Sequence, residues 1–219
     1  MNIYIKALII TLIVFSLGVY IGLEIGKTKM NEIQTGVNDL KSSIEEVELE
    51  FLFLDTMGNT EISCNYFNEE AKRLGDIAGK LGKEVEIYEN SKKLDESSFS
   101  ELKKEYTLIL IKNWLTIEKI KKSCEGDYVT VLYFYSNTNC NKCEDQGIIL
   151  SYYKEKLNKK LQVFAIDGDL NLNLVRALKE SYNITEYPTL IVDNEVHKGY
   201  FDKEEVKEIL CSKQNFYFC

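Results

Sequence analysis

The chain has 219 residues, 45% of them hydrophobic and 28% charged, which excludes a disordered polymer and allows one or two packed domains. A net charge of −8 excludes a nucleic-acid surface, which needs a basic face to displace counterions. A single proline suits long helices, and six cysteines, an even number, suit an oxidising compartment.

Between Lys6 and Glu24 no residue is charged, and the run Ala7–Leu23, extended by Ile3 to Ile5, is long enough to cross a hydrocarbon core of ~30 Å. A cleaved signal peptide would carry a shorter apolar stretch followed by a small-x-small site. The exit Gly22-Leu23-Glu24-Ile25-Gly26 lacks one. Residues 1–26 therefore read as an uncleaved, single-pass transmembrane anchor. Lys6 on one flank and Lys27 and Lys29 on the other nearly balance. It is the cysteines that place residues 27–219 on the extracytoplasmic side.

Residues 31–125 contain no proline and carry 20 acidic against 13 basic side chains, a local charge of −7. Apolar residues recur at helical spacing at Ile33, Val37, Leu40, Ile44, Val47, Phe51 and Leu54. A second stripe runs from Cys64 through Phe67, Ala71, Leu74, Ala78, Leu81 and Val85 to Tyr88. A third runs from Phe99 through Leu102, Tyr106 and Ile109, steps over Asn113, and continues through Ile117 and Ile120 to Cys124. Asn90 to Ser98 is the break, with Asp95, Ser97 and Ser98 as capping candidates. Three one-sided helices predict an all-α antiparallel bundle whose acidic outer face is solvated. If the last two helices turn near residue 94, Cys64 and Cys124 each lie 30 residues from the turn, on facing apolar stripes. That spacing predicts a structural Cys64–Cys124 disulfide; the alternative is two buried free thiols.

The pattern changes at Asp127. Residues 128–135, a dense run of β-branched and aromatic side chains, predict a buried strand. A Ser-Asn-Thr-Asn loop follows, and then Cys140-Asn141-Lys142-Cys143 opens a helix to about Leu157. Further elements are a strand at 161–166, a helix at 171–182, strands at 189–192 and 196–200 joined by a turn at 193–195, and a helix from an Asp202 cap to Cys211. The order is βαβαββα, an α/β arrangement. A Cys-x-x-Cys pair at a strand-to-helix turn is suited to redox chemistry, because the helix N-terminus favours the thiolate of the first cysteine. Cys140 is the expected nucleophile toward a substrate disulfide, and Cys143 resolves the mixed disulfide. Lys142 favours the thiolate, whereas Glu144 and Asp145 oppose it.

Residues 127–211 resemble the thioredoxin-like superfamily in the strand followed by CNKC, in NITEYPTLIV around Pro188, and in the ending GYFDKEEVKEIL. The resemblance implies a thioredoxin-like domain over 127–219, a cis Pro188 facing the two cysteines, and a Tyr187 backbone that pairs with bound peptide. It implies a membrane-anchored thiol–disulfide oxidoreductase, with cysteine pairs of other proteins as substrates and a membrane protein as redox partner. Phe134 stands where the family has a buried acid, and Asn139 where it often has an aromatic residue. These departures keep an alternative open, a non-catalytic interaction or chaperone module with a permanent Cys140–Cys143 staple. No cofactor is expected. Zinc would need four ligands, and His197 is the sole histidine. Cys211 and Cys219 either bridge and fold the aromatic tail back, or leave Cys211 buried and Cys219 open to an intermolecular link. Asn183-Ile184-Thr185 is read as an incidental glycosylation sequon.

Overall fold

The computed structural model describes residues 4, 8–20, 61–91, 96–124 and 126–219. The chain divides into two compact units, Met1–Met57 and Gly58–Cys219. In the first, residues 8–20 form helix α1, whose apolar side chains, among them Leu8, Ile10, Leu12, Phe15 and Tyr20, are exposed around its circumference. Among the described residues no helix is long and apolar enough to cross a membrane. Both ends of the span expected over 1–26, and the whole stripe from Ile33 to Leu54, lie outside the described residues.

The second unit opens with α2 (Glu61–Ser91) and α3 (Glu96–Ser123). Ser97 and Ser98 fall inside α3 rather than capping it, and Asp95 lies outside the described residues. The second stripe is buried as its period predicts, with Phe67, Leu74, Ala78 and Val85 facing α3. The step at Asn113 has a physical reason. Helix α3 is covered on more than one side, burying Leu110, Ile111 and Trp114 besides Leu102, Ile109, Ile117 and Ile120. Cys64 and Cys124 form a disulfide with Cα atoms 5.6 Å apart, tying the start of α2 to the end of α3. The α2–α3 hairpin packs against the sheet and shares with it the unit Gly58–Cys219.

The sheet comprises β1 (Val129–Tyr135), β2 (Leu161–Asp167), β3 (Thr189–Val192) and β4 (Glu195–Lys198), in the order β2-β1-β3-β4. Strand β1 runs parallel to β2 and antiparallel to β3, which pairs antiparallel with β4. The parallel step is spanned by α4 (Cys143–Leu157), and α5 (Asn173–Ser181) and α6 (Lys203–Lys213) complete the unit. Because β1 is central, both its faces are buried. Val129, Val131 and Tyr133 join Leu150, Tyr153, Val206, Leu210 and Phe216 in one core, while on the opposite face the Thr130 hydroxyl donates to Glu118 of α3.

The β3–β4 turn is shorter than expected. Asp193 and Asn194 both adopt positive φ, 48° and 71°, as a two-residue hairpin turn requires, and Glu195 already belongs to β4. At Gly199 (φ 93°) the chain leaves the strand, so Tyr200 lies beyond it. Asp202 caps α6 in a reciprocal box with Glu205. Cys211 and Cys219 are bridged, with Phe216 buried and Phe218 5.7 Å from the Tyr153 ring centre.

The Cys64–Cys124 bridge closes a loop of 60 residues. In the chain-entropy treatment a closure of this length stabilises by about 4 kcal/mol. Replacing both cysteines by serine is expected to lower the urea midpoint and to raise the slope, because the opened unfolded chain exposes more surface, measured under non-reducing conditions against the parent chain.

Candidate functional site

The two cysteines of the CNKC segment form a disulfide with Cα atoms 5.6 Å apart. Cys143 starts α4 and is buried at 7% exposure, whereas Cys140 precedes the helix and is partly exposed. No side chain caps the α4 N-terminus, so its first-turn N–H groups and dipole act on the neighbouring sulfurs. Underneath, the Tyr133 hydroxyl donates to the Cys143 carbonyl at 2.5 Å. Lys142 is engaged by its own neighbours. Its ammonium lies 2.9 Å from Asp145 and 5.3 Å from the centre of the Tyr200 ring. Its helping role toward the thiolate is therefore offset by a local pair.

The loop from β1 to Cys140 is organised by two carboxylates from the end of β2. Asp169 accepts from the Ser136 hydroxyl (2.8 Å), the Asn137 amide (3.1 Å) and the Thr138 hydroxyl (3.1 Å). Ser136 in turn accepts from the Asn139 amide at 2.8 Å, one residue before Cys140. Burial raises the Asp169 pKa, but the hydrogen bonds from Ser136, Thr138 and the Asn137 and Thr138 amides outweigh it and hold the carboxyl below its ordinary value. Asp167, only 6% exposed, accepts from the Asn137 side-chain amide at 2.9 Å and from Lys103 of α3 at 2.7 Å. Lys103 also reaches Glu89 of α2 at 3.2 Å. Burial opposes the Lys103 charge, yet the hydrogen bond and charge of Asp167, with help from Glu89, hold its pKa above the ordinary value. The chain Glu89–Lys103–Asp167–Asn137 thus runs from the hairpin to the loop that carries Cys140.

Tyr187 and Pro188 lie across a cis peptide bond, with Pro188 buried and Tyr187 half-buried. Tyr187 and Cys140 pack against the same core that contains Cys143. Gly168 faces the Tyr187 ring so closely that a Cβ there would collide with it. Lys179 sits 5.3 Å from that ring's centre and donates to the Gly168 carbonyl.

A cavity of about 530 Å³ adjoins the disulfide. The α/β segment contributes Cys140, Cys143, Glu144, Tyr133, Tyr135, Ser136, Asn137 and Ala165, and the hairpin contributes Gly82, Val85, Glu86, Glu89 and Tyr106. Neither Tyr187 nor Pro188 lines it. Burial raises the phenol pKa of Tyr133, Tyr135 and Tyr106, with Asp167 and Glu89 adding to the rise at Tyr135 and Glu89 at Tyr106. All three therefore stay neutral near pH 7. Among the described residues no group of three or more His, Cys, Asp or Glu could hold a metal ion. His197 lies instead in an edge-on contact with Phe201.

The sequence pointed to the cysteines and the Tyr-Pro pair but not to their neighbours Asp167, Gly168, Asp169, Lys103, Glu86, Glu89 and Tyr106. The Asp-Gly-Asp triplet at the end of β2 was the available signal for the first three.

No family model and no curated protein matches the chain. Among solved structures, a malarial protein is 18% identical with a TM-score of 0.34, over 39% of this chain and 96% of its own. Chloroplastic thioredoxin z is 18% identical with a TM-score of 0.36, over 45% of this chain and 87% of its own. Thioredoxin-2, a component of the malaria parasite protein secretion machinery, is 18% identical with a TM-score of 0.33, over 39% of this chain and 82% of its own. The four-stranded mixed sheet, its flanking helices and the CxxC disulfide at the start of α4 fit a thioredoxin-like fold and redox chemistry.

The depressed Asp169 pKa fixes the sign of a pH dependence. The carboxylate's contribution is present above the unfolded value of 3.8 and is lost as pH falls through the lower folded value. Amide exchange at Asn137 and Asn139 is expected to show protection that weakens on acidification through that range. In Asp169→Asn the same amides exchange faster at neutral pH and lose this dependence.

Proposed function

We propose that the protein is a membrane-anchored, extracytoplasmic thiol–disulfide oxidoreductase that exchanges disulfides with cysteine pairs of other proteins. The observation that carries the reading is the Cys140–Cys143 disulfide itself, with one cysteine partly exposed and the other buried at the uncapped start of α4. In the reduced form the Cys140 thiolate attacks one sulfur of a substrate disulfide, forming a mixed disulfide and releasing one substrate thiolate. Cys143 then attacks the Cys140 sulfur and releases the second. Two electrons pass to the substrate, and the pair returns to the disulfide state. The reverse sequence oxidises a substrate dithiol. A redox partner, proposed here to be another membrane protein, resets the pair in either direction. Tyr187 and Pro188 are proposed to hold the substrate backbone.

The competing reading, a non-catalytic module with a permanent staple, finds support in the fully buried, apolar Phe134 six residues before Cys140. One variant separates the two. Cys143→Ser is expected to accumulate mixed disulfides through Cys140, seen as reducible adducts on non-reducing gels and absent in the Cys140→Ser/Cys143→Ser double variant. A staple traps nothing.

The anchor is supported by the uncharged run Ala7–Leu23 and by the all-round apolar exposure of α1, because such a helix needs an apolar medium on every side. The full chain is expected to stay with membranes through alkaline carbonate extraction, with Cys219 accessible to reagents outside the cell after reduction. Release into the supernatant would remove the anchor.

A further inference from the structure

We infer that the cavity beside Cys140–Cys143 selects disulfides with a positively charged group close to the reacting sulfur, such as a cysteine flanked by lysine or arginine. This rests on the exchange reading above and adds the class of substrate. Both cysteines line the void, and two separate elements supply its acid groups, Glu86 from α2 and Glu144 from α4. A third, Glu89, is paired with Lys103. Among the described residues no lysine or arginine lines the space. Among the described residues neither Glu86 nor Glu144 forms an ion pair, so both charges act on whatever enters.

Aromatic faces complete the match. Tyr106, Tyr133 and Tyr135 line the same space, and an ammonium or guanidinium is attracted both to such faces and to carboxylates. The wall is shaped for this. Gly82 has no side chain, and a Cβ there would come within 3.2 Å of the Tyr106 hydroxyl, so the glycine lets that ring lie close against α2. Val85 and Ala165 supply apolar surface for the methylene stem of a cationic side chain. The volume, about 530 Å³, holds a side chain together with the reacting cysteine.

The test uses the full-length protein in detergent micelles, reduced at Cys140–Cys143. Three small disulfides serve as probes: cystamine (cationic), 2-hydroxyethyl disulfide (neutral) and dithiodiglycolate (anionic). Each rate of reoxidation is divided by that probe's rate with free dithiothreitol, at about 0.15 M salt to screen distant charges. In each reaction one probe molecule accepts two electrons and leaves as two thiols, while the protein pair becomes a disulfide. Cystamine is expected to exceed the neutral probe by about tenfold after normalisation, with dithiodiglycolate slowest. Glu86→Gln is expected to cut the cystamine-to-neutral ratio about threefold. Glu208→Gln, which removes the same charge from the exposed face of α6, leaves that ratio intact. Equal normalised rates for the three probes, or equal losses in the two variants, would overturn the selectivity and leave the exchange reading standing. Failure to exchange with any probe would overturn both.

Discussion

A buried carboxylate needs polar partners, and Asp167 at the end of β2, 6% exposed, is such a group. Its partner comes from outside the sheet, since Lys103 reaches it from α3 at 2.7 Å. The Asn137 side-chain amide takes up further capacity on the same oxygen, and Glu89 shares the lysine. Breaking a buried pair by removing one member costs more than an exposed pair contributes, about 3–5 kcal/mol in comparable cases. The hairpin is thereby tied to the edge of the sheet and to the loop that leads into Cys140. The pair adds to the packing of α3 on β2 and β1 and to the Thr130–Glu118 hydrogen bond, which together hold the hairpin beside the sheet and form one wall of the cavity.

This coupling changes what the helical segment is for. As a free-standing bundle it would be a mere stalk ahead of the α/β segment. Packed on β2 and β1, it contributes Glu86, Glu89 and Tyr106 to the surroundings of the two sulfurs. The Cys64–Cys124 bridge has a matching role, because it closes the hairpin at the end remote from its turn and restrains α2 and α3 together. The tail is restrained in the same way, with the Cys211–Cys219 bridge turning Phe216 back into the core.

The proposed exchange chemistry depends on a contrast between the two cysteines of the bridge. Cys143 is enclosed by the core and held through its carbonyl by Tyr133, whereas Cys140 stands at the end of a loop fastened by Ser136 and Asp169. A nucleophile must be reachable and a resolving group must be close but shielded, and this arrangement separates the two requirements. The helix N-terminus favours negative charge on the first sulfur, while the Lys142–Asp145 pair adds little net charge.

Much of this was legible in the amino-acid sequence because the signals are local or symmetric. A run of β-branched and aromatic residues at 128–135 makes a central strand, Asp202 with Glu205 makes a helix cap, and CxxC after a strand marks a redox pair. Equal distances from one turn predict the Cys64–Cys124 bridge that the structure contains. Shorter-range detail needed backbone angles, as at Asp193 and Asn194, where positive φ confines the hairpin turn to two residues. The Glu89–Lys103–Asp167–Asn137 chain and the fit of Gly168 to Tyr187 could not be read in advance. Lys103 and Asp167 are 64 residues apart, on elements of different period, and no spacing rule relates a helix position to a strand position. Their meeting is set by how the α2–α3 hairpin lies across β2. The sequence by itself determined the elements and the redox pair, and only tertiary packing decided which charges and rings surround it.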